Sequence, residues 1–424
     1  MESRLPVPDR ETIVQYLAAN DLHYQRIELP FGLATPGPDR SETAQQIFPA
    51  DLGGLSVLDV GCYLGYFCHE ARRRNAGRVV GVDVDETRLA HARALARFAG
   101  YDITFRRLDI EEEDLDGTFD IVLLLNVIHH ARRPMDLLAK VARSTARQLV
   151  LEVPSVSDGP MRQYLRRHFR LRRRQVARLE RLPVIGVGRD GALDGRSEQS
   201  FFFTPEAIRS VLLEHRRLFA RVDVLPTARR GRFVAVAHRR RIGELVILAG
   251  PSGAGKTHLG ARVLSGADPV LARRLGIERP ETWQAVTAQE LRSLETPEVA
   301  RLLLHYDLLR PWRGGARSFA RDEALDVIDC AARVRVCTLY CPPGTLMARL
   351  EERCATVAGD GLAFAREALV LYRQRGLLGT TYAEWLAFCT GRGLEPNVFE
   401  ASGDSYEEIA GGRFSVLLAE LGER

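Results

Sequence analysis

The stretch VLDVGCYLG, residues 57–65, sets the organisation of the first half of the chain. An apolar strand-like run stops at Gly61, a second glycine follows at Gly65, and a helical pattern begins at once. Glycine lets a backbone turn sharply, approach a ligand closely and enter a helix whose first amides lack partners, so this is a nucleotide-type turn. Outward from it, further strand-like runs fall at 79–82, 104–108, 121–125 and 148–153, with helix-like segments between them. That alternation predicts a parallel sheet. After Phe201 the segment TPEAIRSVLLEHR reads as a helix, and the runs 220–225 and 232–238 read as a closing antiparallel pair.

Polar residues collect at the ends of these strands. Asp59 lies in the first, the second ends in Asp83, the third is followed by Asp109-Ile110, and FDIVLLLN ends the fourth at Asn126. A carboxylate ending the second strand is placed to accept hydrogen bonds from two ribose hydroxyls. Over about residues 40–240 this series resembles the class I S-adenosylmethionine-dependent methyltransferases. The resemblance implies that Asp59, Gly61 and Gly65 shape a methionine pocket, that Asp83 binds ribose, and that Asp109 with Ile110 holds adenine. Tyr63 stands where the family usually has its middle glycine, which brings a side chain to the cofactor. Tight-turn and helix-cap roles are the plainer readings of Gly61 and Asp109.

More narrowly, HYQRIELPFGLATPG (23–37), LNVIHHARRP (125–134) and FFFTPEAI (201–208) look like the tRNA wobble-uridine methyltransferase and carboxymethyltransferase family, whose relatives include methyltransferases of glycan assembly. The carboxymethyl branch is expected to place a lysine upstream of the cofactor turn. No lysine precedes Lys140 here, so ordinary S-adenosylmethionine and plain methyl transfer are expected. His129 and His130, after the fourth strand, are the candidate general bases, and Glu152 is a second candidate.

A second strand–turn–helix unit begins at 244–249 and continues through GPSGAGKT (250–257), which satisfies GxxxxGK[ST]. Successive amides around Gly250, Gly253 and Gly255 can cradle phosphate, Lys256 can reach the β and γ groups, and Thr257 can ligate Mg²⁺. Further strands at 301–306, 334–340 and 397–401 complete a second α/β series. It resembles P-loop kinases of the guanylate, adenylate and small-metabolite type, which implies ATP as a cofactor. Asp307, ending RLLLHYD, suits Mg²⁺ coordination or acceptance of a substrate proton. Arg349 and Arg353 lie one helical turn apart, facing phosphate or solvated beside Glu351 and Glu352. Arg310, Arg373 and Arg375 are weaker candidates.

The expected architecture is therefore α/β in two domains, a Rossmann-like methyltransferase sheet at 1–240 and a P-loop kinase-like sheet at 241–424, with the boundary near 239–243. A length of 424 residues with 46% hydrophobic and 27% charged residues suits two cores and excludes wholesale disorder. No apolar run approaches the ~20 residues of a membrane span, and the N-terminal residues lack a signal pattern, so the cytoplasm is the expected location. Seven cysteines without a CxxC pair read as buried thiols. Only Lys140 and Lys256 among the 60 basic residues are lysines, so arginine clusters are discounted and each lysine singled out. Residues 161–181 hold nine arginines with interleaved apolar positions and read as one amphipathic helix, solvated or facing RNA, lipid headgroups or a phosphorylated substrate.

The function expected from these features is a bifunctional methyltransferase and ATP-dependent kinase acting on a glycan or related small molecule. The alternatives are an RNA-modifying enzyme and a methyltransferase regulated by a non-catalytic nucleotide-binding module.

Overall fold

The computed structural model describes residues 7–189, 199–214, 218–227, 231–313, 318–374, 376–402 and 405–423. The chain divides into two compact units at Arg239/Arg240. Arg375 lies outside the described residues.

In unit 1 the sheet strands are β1 (Val57–Val60), β2 (Val79–Asp83), β3 (Thr104–Arg107), β4 (Phe119–Leu125) and β5 (Thr145–Pro154). A separate hairpin, β6 (Ile185–Arg189) with β7 (Gln199–Phe203), is followed by β8 (Phe219–Pro226) and β9 (Arg232–Arg239). The seven-stranded order is β8-β9-β5-β4-β1-β2-β3. The first five strands are mutually parallel, and β9 returns antiparallel to β5 and β8. All four residues of β1 are buried, as a central parallel strand covered on both faces requires. Helices α1 (Tyr66–Arg73) and α2 (Glu86–Ala99) follow β1 and β2, so the turns that lead into them lie at the carboxyl ends of the strands.

The arginine-rich segment departs from the single helix expected. It forms α3 (Gly159–Phe169) and α4 (Arg173–Leu179), interrupted at Arg170, whose φ of 53° is left-handed and ends the first helix. Val156, Met161, Leu165, Val176 and Phe202 form a small core of their own beneath these helices.

Two buried titratable groups flank the first turn with opposite consequences. Burial lifts the Asp59 carboxyl from 3.8 to about 7, and the nearby Asp83 charge adds to the rise. Burial lowers the His69 imidazole from 6.5 to about 4. The raised Asp59 value contributes stability that is present below its unfolded value and lost as pH rises through about 7. The depressed His69 value contributes stability that is present above 6.5 and lost as pH falls toward 4. From pH 7 to 5 the two effects are each about 2 kcal/mol and oppose one another. Urea unfolding should therefore show His69→Leu gaining stability on acidification over that window and Asp59→Asn losing it. Parallel pH profiles in the two variants would refute this assignment.

Unit 2 is built on β10 (Arg241–Gly250), β11 (Gln284–Thr287), β12 (Glu298–Asp307), β13 (Ala331–Tyr340), β14 (Pro396–Ser402) and β15 (Ser405–Glu408). The order β11-β12-β10-β13-β14-β15 is parallel except for the last strand. Residues Leu245–Gly250 are buried without interruption, which places β10 at the centre. The edge strands β11 and β15 were not anticipated, since each is four residues long and mostly exposed. Helix α5 (Lys256–Leu264) follows β10, and α6 (Pro343–Thr356) follows β13. Among the described residues no helix is long and apolar enough to cross a membrane.

Candidate functional site

In unit 1 the turn after β1 borders a cavity of about 580 Å³ at the carboxyl ends of the strands. Gly61 has φ +74° and a Cβ there would lie 2.4 Å from Val127 Cγ2, so only glycine fits. Tyr63 is also left-handed, with φ 55°. Its ring stacks on Tyr24 at 4.0 Å and lies under the Arg88 guanidinium at 4.4 Å, so the tyrosine forms part of the cavity wall. Gly65 opens α1 and packs against Phe105 outside the cavity lining.

The turn's amides are not left open, as the sequence reading had them. Gln25 Oε1 accepts from the Leu64 amide at 3.1 Å and the Tyr66 amide at 3.3 Å. Asp83 accepts from the Tyr63 amide and the Asp85 amide, both at 3.0 Å, with Arg88 3.8 Å away. Its carboxylate thus ties the turn to the end of β2 and still borders the cavity.

The remaining candidates separate. Asp59, Ile110, Asn126 and His130 line the cavity. Asp109 does not; its Oδ1 accepts from the Glu111 amide at 3.0 Å, which makes it the turn cap rather than a wall of the pocket. Leu108 takes a place beside Ile110 instead. His129 is buried behind the lining, its ring 3.9 Å from that of His130. Lys140 explains why a lysine persists in so arginine-rich a chain. Its ammonium donates to the carbonyls of Ile110 (3.0 Å), Glu111 (3.3 Å) and Glu113 (2.9 Å), a convergence that suits a compact charge and fixes the turn carrying Ile110.

Sequence reasoning missed Gln25, Arg40, Arg88 and Arg232. Arg40 pairs with the buried Glu152, which also accepts from Asn126 Nδ2 at 2.8 Å. Asn126 in turn accepts from Arg232. Glu152 therefore anchors the strand-end network instead of lining the cavity. The residues present fit S-adenosylmethionine: a side-chain-free turn at Gly61, a carboxylate at the end of β2, and an apolar wall of Leu108 and Ile110.

In unit 2 the turn after β10 borders a cavity of about 930 Å³. Gly253 and Gly255 have φ of +88° and +94°, the left-handed backbone that favours glycine, and Gly255 faces Tyr406 Oη and Arg349. Lys256 Nζ donates to the carbonyls of Gly250 (2.6 Å) and Pro251 (2.8 Å). Asp307 is the register partner of Gly250 and accepts from Ser252 Oγ at 3.1 Å. Gly253, Gly255, Lys256, Thr257, Asp307, Arg349 and Arg353 all border this cavity, whereas Gly250 closes the strand behind it. Arg349 Nη1 lies 3.4 Å from the Gly253 carbonyl, and Arg353, one helical turn further along α6, borders the same cavity. The glycine turn and the ammonium suit a triphosphate, and the Thr257 hydroxyl and Asp307 carboxylate supply the hard oxygens that Mg²⁺ prefers. Arg373 lies on the surface against Glu351, away from the cavity.

Comparison with known proteins bears on unit 1. Residues 57–148 match the family model described as "Methyltransferase domain". The chain is 40% identical over 79 residues to the ubiquinone biosynthesis O-methyltransferase of Bradyrhizobium diazoefficiens, covering 19% of this chain and 31% of that protein. It is 36% identical over 114 residues to the tRNA U34 carboxymethyltransferase of Alcanivorax borkumensis, covering 26% and 35%. The chain thus spans about a third of the length of these curated relatives. Among solved structures it is similar to the N-terminal domain of EvdMO1 in the presence of SAH and D-fucose, with 19% identity, a TM-score of 0.41, and coverage of 55% of this chain and 98% of that one. The family match therefore falls within unit 1.

Proposed function

We propose that the chain carries two group-transfer sites, for methyl transfer in unit 1 and for phosphoryl transfer from ATP in unit 2, serving a glycan or related small-molecule acceptor. The observation that carries the methyl-transfer reading is the gathering of Asp83, Ile110, Asn126 and His130, from the carboxyl ends of β2, β3 and β4, around one cavity floored by Gly61 in the turn after β1. S-adenosylmethionine, when bound, supplies an electrophilic methyl group. Asp83 holds the ribose hydroxyls, Leu108 and Ile110 flank the adenine, and Asp59 with Gly61 shapes the methionine end. Orientation accounts for much of the rate in such a transfer. His130, which borders the cavity, is the base candidate; His129 acts only by packing against it.

The phosphoryl-transfer reading is supported by Lys256, Thr257, Asp307, Arg349 and Arg353 sharing a second cavity. Lys256 and the turn amides would hold the phosphates, Thr257 and Asp307 the Mg²⁺, and the two arginines the charge that develops in transfer. Incubation of the full chain with methyl-labelled S-adenosylmethionine and γ-labelled ATP against glycan, metabolite and RNA pools tests both sites. Both labels in the glycan or metabolite fraction are expected. ATP turnover without a phosphorylated acceptor, together with nucleotide-dependent methylation, would instead make unit 2 a regulatory module.

One observation favours a second acceptor class. The segment 161–181 carries nine arginines and one carboxylate, Glu180, which is bound to Ser155 and the Ser157 amide. If this face engages RNA, retention should fall by roughly 10³-fold between 50 and 200 mM salt. Methyl label entering RNA alone would replace the glycan reading.

A further inference from the structure

Charge is distributed unevenly along the chain. Residues 159–198 hold eleven arginines and four carboxylates, a net charge of +7, against +5 for the whole chain. The remaining residues, 49 basic and 51 acidic, are net −2, so the excess belongs to this stretch and not to a general preference for arginine. All nine arginines of 161–181 are exposed. Apolar side chains collect on the same stretch. Among the described residues, four of the fourteen exposed large hydrophobic side chains fall within 169–187: Phe169, Leu182, Ile185 and Val187, each 41–59% exposed. The fold supports them from beneath. Phe169 ends α3 with its ring 5.9 Å from that of Tyr164, which packs on the small core of Met161, Leu165 and Phe202. In β6 a Cβ on Gly186 would lie 1.8 Å from the Phe202 ring, so this residue faces that core, and strand alternation turns Ile185 and Val187 the other way.

RNA takes cations at its phosphates and aromatic or polar groups at its bases, and leaves aliphatic side chains in water. A bilayer surface accommodates both components, with arginine at anionic headgroups and the apolar side chains beside it entering the acyl boundary. We propose that α3, α4 and the β6–β7 hairpin form a docking surface for an anionic lipid bilayer. The arginines meet the headgroups, and Phe169, Leu182, Ile185 and Val187 insert among the acyl chains. This surface is independent of the group-transfer readings of either cavity.

The test is flotation of the full chain with vesicles of phosphatidylglycerol and phosphatidylcholine, and separately with vesicles of phosphatidylcholine alone. Binding should be at least about tenfold tighter to the anionic vesicles and should weaken as salt rises. At about fivefold for each arginine near the surface, Arg166→Gln/Arg167→Gln/Arg170→Gln should cost about 100-fold. The same change in charge on exposed positions of unit 2, Arg273→Gln/Arg274→Gln/Arg292→Gln, should cost less than about twofold. Phe169→Ser/Leu182→Ser keeps every charge and should weaken vesicle binding at least about tenfold, while RNA retention stays within about twofold. Thermal melts establish that each variant is folded, and Val187→Ser should shift binding in the same direction if the double variant is not. No binding to anionic vesicles would overturn the surface, as would equal losses in the two arginine variants. Vesicle binding unchanged by the apolar substitutions would overturn it too, by reducing it to adsorption through charge. RNA retention without flotation would overturn it in favour of RNA.

Discussion

Lys256→Ala should lower the phosphoryl transfer proposed for unit 2 by on the order of 10²–10³-fold or more, the scale seen when one preorganised partner of a developing charge is removed. The argument rests on what the ammonium does before any ligand arrives. It already sits within 2.8 Å of two carbonyls of its own turn, so the fold holds it at the wall of the unit 2 cavity without a ligand. Methylation in the same preparation should stay within about twofold, because the two cavities share no lining residue. The residues bordering the unit 1 cavity run from Tyr24 to His130, none of them from unit 2. Labelled transfer with both donors, alongside a thermal melt to show that the variant is folded, checks the expectation. Loss of both activities in folded protein would show that the two sites are coupled.

Asp83→Ala should weaken S-adenosylmethionine binding by roughly 100-fold, about 3 kcal/mol, from two effects that share one carboxylate. The first is loss of the hydrogen bonds it would offer to ribose. The second is structural: its oxygens accept the Tyr63 and Asp85 amides and lie beside Arg88, so removal also loosens the turn and the Tyr24–Tyr63 stack that walls the cavity. Calorimetry separates these contributions if Asp83→Asn, which can still accept from the amides, loses less affinity than alanine. Wild-type affinity in Asp83→Ala would place the ribose elsewhere.

The parts of these sites that were legible in the sequence are those fixed by local geometry. Glycines 61, 253 and 255 stand at left-handed positions that a strand-to-helix turn imposes, and carboxylates 83 and 307 end the strands beside their turns. Both lysines repaid attention for one reason: each gathers backbone carbonyls around a compact charge, at 110, 111 and 113 or at 250 and 251. What the sequence hid depends on contacts between distant segments. Gln25 reaches turn amides 39 and 41 residues away, and Arg40 reaches Glu152 across 112. In a chain so rich in arginine, no local pattern separates Arg40 from surface charge. Asp109 could be read two ways because a strand-end aspartate and a turn-capping aspartate share one signature, and the bond from the Glu111 amide belongs to the second.

The way Gln25 closes over the glycine turn bears on where this chain can be cut. A fragment trimmed to the matched span at 57–148 would keep the strands that read as a methyltransferase but discard Gln25 and Arg40 ahead of it and Arg232 behind it. Two amides at the mouth of α1 would be exposed, and Glu152 would go with β5's end, so the excised piece would hold the recognisable pattern without the pocket. Expression boundaries for this half of the protein belong before residue 10 and after residue 239.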